Sequence, residues 1–500
     1  MLFSSGEFLF LYLPIVLAGF FLVARFLGAG FAAAWLTLAS LFFYGFWRLQ
    51  DLPLLMGSIT FNYIAGRAIQ SATDDSVLTR KRLLAGAVAV NLGLLAYYKY
   101  ANFLLGTVSA IANLSIQPVD VALPIGISFF TFTQIAYLVD SYAGKVRERN
   151  PLHYALFVTY FPHLIAGPVL HHAEMMPQFA RRETYRPDVT NIVLGLAFLG
   201  IGLAKKVLVA DSAAPIANGV FDAANAGPLG FATAWEGILA YTVQIYYDFS
   251  GYSDMAIGLS LLFGVRLPYN FNSPYKARSI VDFWRRWHMT LSRFLRDYLY
   301  VALGGNRRGV VRRYVNLAIT MLLGGLWHGA SWTFVAWGAL HGAFLVLNHG
   351  WRHASERFLP RARFAASPAA RRCGAVASTA LTLLCVMIAW VFFRASSFAD
   401  ATNVLLAMGG LQEAAQSPAI PPPVASTWFL LLAALAATLI APNSQELVDR
   451  RLRPHVERLA ASRVGDLAFG ATVGASTVAI VMLALISASR DVTEFIYFNF

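Results

Sequence analysis

The stretch Tyr314-Val315-Asn316-Leu317-Ala318-Ile319-Thr320-Met321-Leu322-Leu323-Gly324-Gly325-Leu326-Trp327-His328-Gly329-Ala330-Ser331-Trp332 carries one imidazole at the end of an apolar run. A helix rises about 1.5 Å per residue, so His328 is expected deep in a membrane or at its far side. Gly324, Gly325 and Gly329 thin the helix around it and let another backbone or a ligand come close. Two readings of His328 fit these facts. It is a structural histidine bonded across helices, or a neutral imidazole that accepts a proton as a general base does.

The rest of the chain fits a lipid solvent. Of 500 residues 58% are hydrophobic and 13% charged, where an ordinary soluble chain carries about a quarter charged. Lipid penalises charge and tolerates apolar surface all round a helix. Length alone suggests about three soluble domains. Apolar runs recur from Phe8 to Leu485 with no soluble linker pattern, which points to one membrane domain over 1–500. Within it, N-terminal spans occupy 1–120, a motif-bearing core 121–350 and C-terminal spans 351–500. The net charge of +13 lies in loops between apolar runs, as in cytoplasmic loops of membrane proteins, and no zinc or helix-turn-helix pattern supports nucleic-acid binding. Cys373 and Cys385 are too few for a disulfide framework or zinc site and are expected to pack as small apolar residues. Residues 1–13 lack a basic n-region and a cleavage site, so the first apolar run is expected to be a retained span.

Candidate spans at about 20 apolar residues each are 8–26, 31–47, 83–98, 121–139, 189–210, 229–247, 314–328, 331–347, 374–393, 426–441 and 466–487. Broken runs at 53–65, 102–113, 153–169 and 251–265 complete an all-α integral membrane protein of about 11–13 transmembrane or re-entrant helices. Basic loops at 67–82, 145–150, 181–186, 276–313, 352–372 and 450–463 go to the cytoplasm, which leaves Phe500 on the outer face; 186–276 fits this scheme poorly. The 352–372 loop is rich in Arg and Ala and suits a surface helix, while the Pro-rich stretch Ser417–Val424 reads as an extended linker.

Polar groups concentrate between Tyr246 and His341. Tyr246-Tyr247-Asp248-Phe249-Ser250-Gly251-Tyr252-Ser253-Asp254 places carboxylates and serines between apolar runs, either as a functional intramembrane cluster or as an interfacial loop. Asn270-Phe271-Asn272-Ser273-Pro274-Tyr275 reads as a turn. From Ser279 to Tyr300 the apolar residues repeat at helical spacing, with Arg285, Arg286, Arg293 and Arg296 opposite, so one basic amphipathic interfacial helix is expected. His288 falls on its apolar face, as a core histidine or a functional one. His171 and His172 are adjacent, a poor geometry for one metal, and no HExxH, P-loop or GxSxG pattern occurs; no metal is implied.

These motifs together resemble the membrane-bound O-acyltransferase family, in particular its bacterial members that take part in alginate O-acetylation. The resemblance rests on Leu123-Pro124-Ile125-Gly126, Phe161-Pro162-His163-Leu164-Ile165-Ala166-Gly167-Pro168, Tyr247-Asp248-Phe249-Ser250, Phe283-Trp284-Arg285-Arg286-Trp287-His288, Arg296-Asp297-Tyr298, Leu303-Gly304-Gly305-Asn306, Leu326-Trp327-His328-Gly329, Trp390-Val391-Phe392-Phe393-Arg394 and the ending Phe495-Ile496-Tyr497-Phe498. It implies a ring of helices around a thin core with a central funnel or tunnel. It also implies His328 as the catalytic residue and His288 as a second functional position.

On that footing the expected activity is O-acetyl transfer from a cytosolic thioester, most simply acetyl-CoA, toward hydroxyls of an exported polysaccharide such as alginate. The resemblance implies a periplasmic partner transferase and a multi-pass location in the bacterial inner membrane. No permanently bound cofactor is expected. Asp248, Ser253, Asn270, Asn272, Trp327, Arg285, Arg286 and Arg296 are candidate substrate-binding residues: the arginines for donor phosphates, and Trp327, Asn270 and Asn272 as oxyanion donors. The alternatives are a transporter or channel, and transfer to another cell-envelope acceptor, as in teichoic acid D-alanylation.

Overall fold

The computed structural model describes residues 1–71, 77–165, 167–358, 367–413, 424–460 and 465–488, and among these every regular element is helical. The helices Glu7–Phe26, Val77–Ala112, Val189–Ala226 and Pro368–Arg394 are long and apolar enough to cross a membrane; Ala29–Gly45, Phe398–Met408, Ala425–Ile440 and Gly474–Ile486 are apolar but shorter. Residues 359–366 of the basic loop, 417–423 of the Pro-rich stretch, Ala166, and the ending through Phe500 lie outside the described residues. The helix before that loop runs on to Phe358, and the next begins at Pro368.

The chain forms two compact units. The first holds Met1–Leu203, Tyr252–Tyr269 and the chain from Val448. Its core includes stacked and edge-on rings of Phe3, Phe8, Tyr12, Phe43 and Phe161. Its helices are also joined by buried amides. Asn62 and Asn91 exchange side-chain hydrogen bonds of 3.1 and 2.7 Å, and Gln134 donates to Ser58 at 2.9 Å. Without water, such groups must satisfy one another.

The second unit, Ala204–Gly251 with Asn270–Leu447, carries the remaining features. Its spine is a helical hairpin, Val310–His328 and Trp332–Phe358, with Pro368–Arg394 packed on the second arm. Glycine sets the spacing of the hairpin. A Cβ on Gly325 would sit 2.3 Å from the Phe334 carbonyl oxygen, and one on Gly338 2.4 Å from that of Met321. The two backbones therefore touch, and each helix accepts the other only where it has no side chain.

Several expected boundaries shift. Runs 229–247 and 251–265 are one helix of 32 residues, Phe231–Leu262, because no proline or turn interrupts them. The Tyr246–Asp254 stretch is therefore helical and buried, not an interfacial loop. Runs 83–98 and 102–113 merge into Val77–Ala112, and 189–210 extends to Ala226. The broken run 53–65 is a full helix, Leu52–Ser71. The single amphipathic helix over 279–300 is not formed. Ile280–Trp284 stops, the backbone turns, and Met289–Phe294 restarts. Cys373 is exposed and Cys385 half-buried.

Replacing Gly338 by Ala forces a methyl against a backbone carbonyl and should cost about 1–3 kcal/mol, the usual range for overpacking. Thermal unfolding in detergent should show a lowered midpoint, with Gly350→Ala, where a Cβ meets nothing within 4 Å, as the neutral comparison. Equal midpoints would mean that the hairpin does not need this glycine.

Candidate active site

His328 is the last residue of its helix, and Gly329 leaves it with extended backbone (φ −159°). The imidazole is 4% exposed. Its ring centroid lies 4.9 Å from that of Trp327, 5.0 Å from Trp337 and 5.1 Å from Phe393. Gly329 helps close this cage, because a Cβ there would lie 2.1 Å from the Phe334 ring. Phe334 in turn packs edge-on against Phe393.

His288 reaches the same cluster by the break in its helix. Its backbone is left-handed (φ 43°, ψ 52°), a conformation that costs a non-glycine residue about 1–3 kcal/mol and persists only when its surroundings hold it. They do so through two backbone bonds. Met289 N–H donates to the Asn270 carbonyl at 2.9 Å, and Asn272 N–H donates to the Arg286 carbonyl at 2.9 Å. The turned-in imidazole is fully buried, 4.8 Å from the Phe249 ring and 6.3 Å from Trp327.

The tautomer of His288 follows from its partner. Asn270 Oδ1 accepts from Thr290 N–H at 3.4 Å and from Thr290 Oγ1 at 3.0 Å. A backbone N–H can only donate, so the atom facing it is the amide oxygen. The same oxygen lies 3.0 Å from His288 Nδ1, and Nδ1 must therefore carry the proton. Nε2 keeps its lone pair, buried and with no hydrogen-bond partner among the described residues. His288 presents an acceptor.

A third histidine of this cluster was not singled out in the sequence. His341 is fully buried on Trp332–Phe358, its ring 4.7 Å from Trp337 and 5.1 Å from Trp284. The only signal was its position one helical turn after Trp337, which puts both on one face. Trp390 and Phe393, 5.3 Å apart, add two more rings from Pro368–Arg394.

The other candidates fall into three groups. Trp327 lies in the cluster. Asn270 and Asn272 brace the turn: the Asn270 oxygen is taken by His288 and Thr290, and the Asn272 oxygen accepts from Asn443 Nδ2 at 3.0 Å. Asp248 is ion-paired. Lys206 Nζ lies 3.1 Å from its Oδ1 and 2.7 Å from Asp211 Oδ1, all three side chains buried. Lys206 was hidden in the sequence within the apolar run 189–210. Ser253 is buried in the first unit.

The arginines divide. Arg285 and Arg296, with Arg293 and Arg313, line a cavity of about 540 Å³ together with Tyr300, Asn306 and His349. Arg296 also pairs with Asp297 at 2.7 Å. Arg286 instead pairs with Asp282 at 2.9 Å and donates to the Asn272 carbonyl at 3.3 Å, so it belongs to the turn.

The sequence pattern of MBOAT, the membrane-bound O-acyltransferase family, matches residues 114–388. The chain belongs to that family. It is 44% identical over 440 residues to a peptidoglycan O-acetyltransferase of Helicobacter pylori, covering 82% of this chain and 80% of the relative. It is 44% identical over 413 residues to a probable alginate O-acetylase AlgI of Azotobacter vinelandii, covering 82% and 78%. A teichoic acid D-alanyltransferase of Bacillus subtilis is 26% identical over 235 residues, covering 44% of this chain and 58% of the relative. The protein is thus a multi-pass membrane O-acyltransferase, and the transporter reading is set aside.

Lys206→Met should take from the buried carboxylates of Asp211 and Asp248 the ammonium group that both of them meet. Removing one partner of a buried ion pair costs about 3–5 kcal/mol, and thermal unfolding should show it. Adding Asp211→Asn and Asp248→Asn should restore most of the loss. Failure of that rescue would mean that the lysine stem, not the charge, holds the helices.

Proposed function

We propose that this acyltransferase moves an acetyl group from acetyl-CoA toward hydroxyls of an exported cell-envelope polysaccharide, with His328 as general base and His288 as its partner. The reading is carried by two buried imidazoles, His328 and His288, packed on the common indole of Trp327. The acceptor oxygen attacks the thioester carbonyl. A C–O bond forms, the C–S bond breaks, His328 takes the hydroxyl proton, and the CoA thiolate leaves and is protonated. His288 Nε2 supplies a buried lone pair to orient an O–H. The cavity lined by Arg285, Arg293, Arg296 and Arg313 suits the phosphates of the donor, since guanidinium groups match phosphate geometry in two-point fashion. Its lining of Met289, Leu295, Leu317 and Met321 suits the pantetheine arm.

For the acceptor, a uronic acid polymer such as alginate is the leading candidate. The equal identity to a peptidoglycan O-acetyltransferase favours a glycan of the cell wall as the second reading. Location in the bacterial inner membrane, with a periplasmic partner completing transfer, follows from an exported acceptor and a cytosolic donor.

Reconstituted protein should release CoA from acetyl-CoA when oligoalginate or peptidoglycan fragments and envelope extract are supplied. His328→Ala should lower kcat by about 10²–10⁴-fold, the scale of general acid–base catalysis, with His288→Ala less severe. Wild-type turnover in a folded His328→Ala protein would refute the assignment. Arg293→Gln and Arg313→Gln should raise KM for acetyl-CoA with little change in kcat; a KM that stays fixed would place the donor phosphates elsewhere.

A further inference from the structure

His341 is buried one indole away from His328, both rings packing on Trp337, and the chemistry described so far leaves it idle. Its Nδ1 lies 3.3 Å from the Trp284 Nε1–H. An indole N–H can only donate, so Nδ1 must offer its lone pair, and in the neutral ring the proton is on Nε2. That Nε2–H is fully buried and has no hydrogen-bond partner among the described residues. Leaving a buried donor unmade is costly, and such a group in a native structure asks for the acceptor it is built to meet.

The surroundings indicate which acceptor. Trp337 packs against His341 at 4.7 Å and against His328 at 5.0 Å, so one indole bridges the two imidazoles. The Trp337 Nε1–H is itself buried without an acceptor among the described residues. Two donors without acceptors among the described residues therefore stand together, one on the indole that walls the proposed base and one on the imidazole packed against that indole. His288, by contrast, is held by Asn270 in the opposite tautomer. The cluster thus offers a lone pair from His288 and an N–H from His341, each assigned by a different side chain.

We propose that His341 is a catalytic hydrogen-bond donor. Its Nε2–H binds the carbonyl oxygen of the acyl thioester and stabilises the negative charge that develops there, and Trp284 is the positioning residue that keeps the proton on Nε2. This rests on the acyl-transfer reading above. No proton is transferred by His341. The attacking oxygen's proton goes to His328, and the thioester electrons move onto the carbonyl oxygen and return as the C–S bond breaks.

The test compares His341→Phe, His341→Gln and Trp284→Phe in the CoA-release assay, with folding checked by thermal unfolding. Losing one oxyanion donor should reduce kcat by about 10²–10³-fold with KM little changed. His341→Gln, which keeps an N–H, should recover part of that loss. Trp284→Phe keeps the ring and removes the N–H that fixes the tautomer; it should reduce kcat by less than His341→Phe does. A readout of the bond itself is the infrared carbonyl band of [1-13C]acetyl-CoA bound to His328→Ala protein. It should move to higher frequency when His341 is also replaced by Phe. Wild-type kcat in folded His341→Phe protein, or an unmoved carbonyl band, overturns the proposal while leaving acyl transfer intact. If wild-type protein releases CoA from no acyl-CoA, the acyl-transfer reading itself fails.

Discussion

The contact between His288 Nδ1 and Asn270 Oδ1, at 3.0 Å, depends on a backbone that leaves the helix over 285–288 and turns left-handed at His288. In lipid, no water is available to settle the protonation of a ring nitrogen or to solvate the one left over. Each imidazole nitrogen is then assigned by whatever protein atom it faces. Asn270 assigns His288, and it can do so because Thr290 fixes which end of the amide is oxygen. The strain at His288 is the cost of this assignment, and two backbone bonds between 270–272 and 286–289 hold it. Arg286 and Asn443, which neither ring touches, brace the same turn through Asn272.

The hairpin applies the same logic at larger scale. Gly325 and Gly338 let the two arms meet backbone to backbone, and that approach brings Trp337 to within 5.0 Å of the His328 ring. A wider crossing would open the cage. The third helix closes it with Phe393, whose ring also packs on Phe334 and Trp390. Small residues thus set the distance at which large aromatic ones act. Interface specificity between membrane helices comes from packing, because burial against lipid offers no hydrophobic gain.

The part of this that was legible in the sequence is what a local pattern can carry. Apolar run lengths gave helices, and the glycines around His328 marked a close approach that the hairpin bears out. Periodicity misled at 279–300, since two short helices joined by a four-residue turn, 285–288, that ends in a left-handed residue repeat their apolar positions almost as one helix does. The departure at His288 is fixed from Asn270, eighteen positions away, beyond any helical window. His341 was illegible for a similar reason. One histidine in an apolar run looks like any core residue, and the indole that gives it a role comes from a separate helix 57 positions earlier. Lys206 gave no sign because its partner Asp248 lies on another helix. The Tyr246–Asp254 stretch read equally as loop or cluster until its burial within Phe231–Leu262 decided the point.

Two environments of opposite character occur in this unit. The cavity at Arg285, Arg293, Arg296 and Arg313 is cationic, while the cage at His328 is walled by indole and phenyl rings. A thioester donor has the same division. Its phosphates are strongly anionic, and its acyl end is small and uncharged. The helix Val310–His328 joins the two, lining the cavity with Arg313, Leu317, Thr320 and Met321 and ending at the imidazole. His328 lies seven positions after Met321, which at about 1.5 Å per residue is about 10 Å of helix. An extended arm between phosphate and acyl group readily spans such a distance. Under the proposed acyl transfer, charge would be held where guanidinium groups can meet it, and the reacting carbonyl would reach a buried site where a single N–H or lone pair counts for more than it would in water.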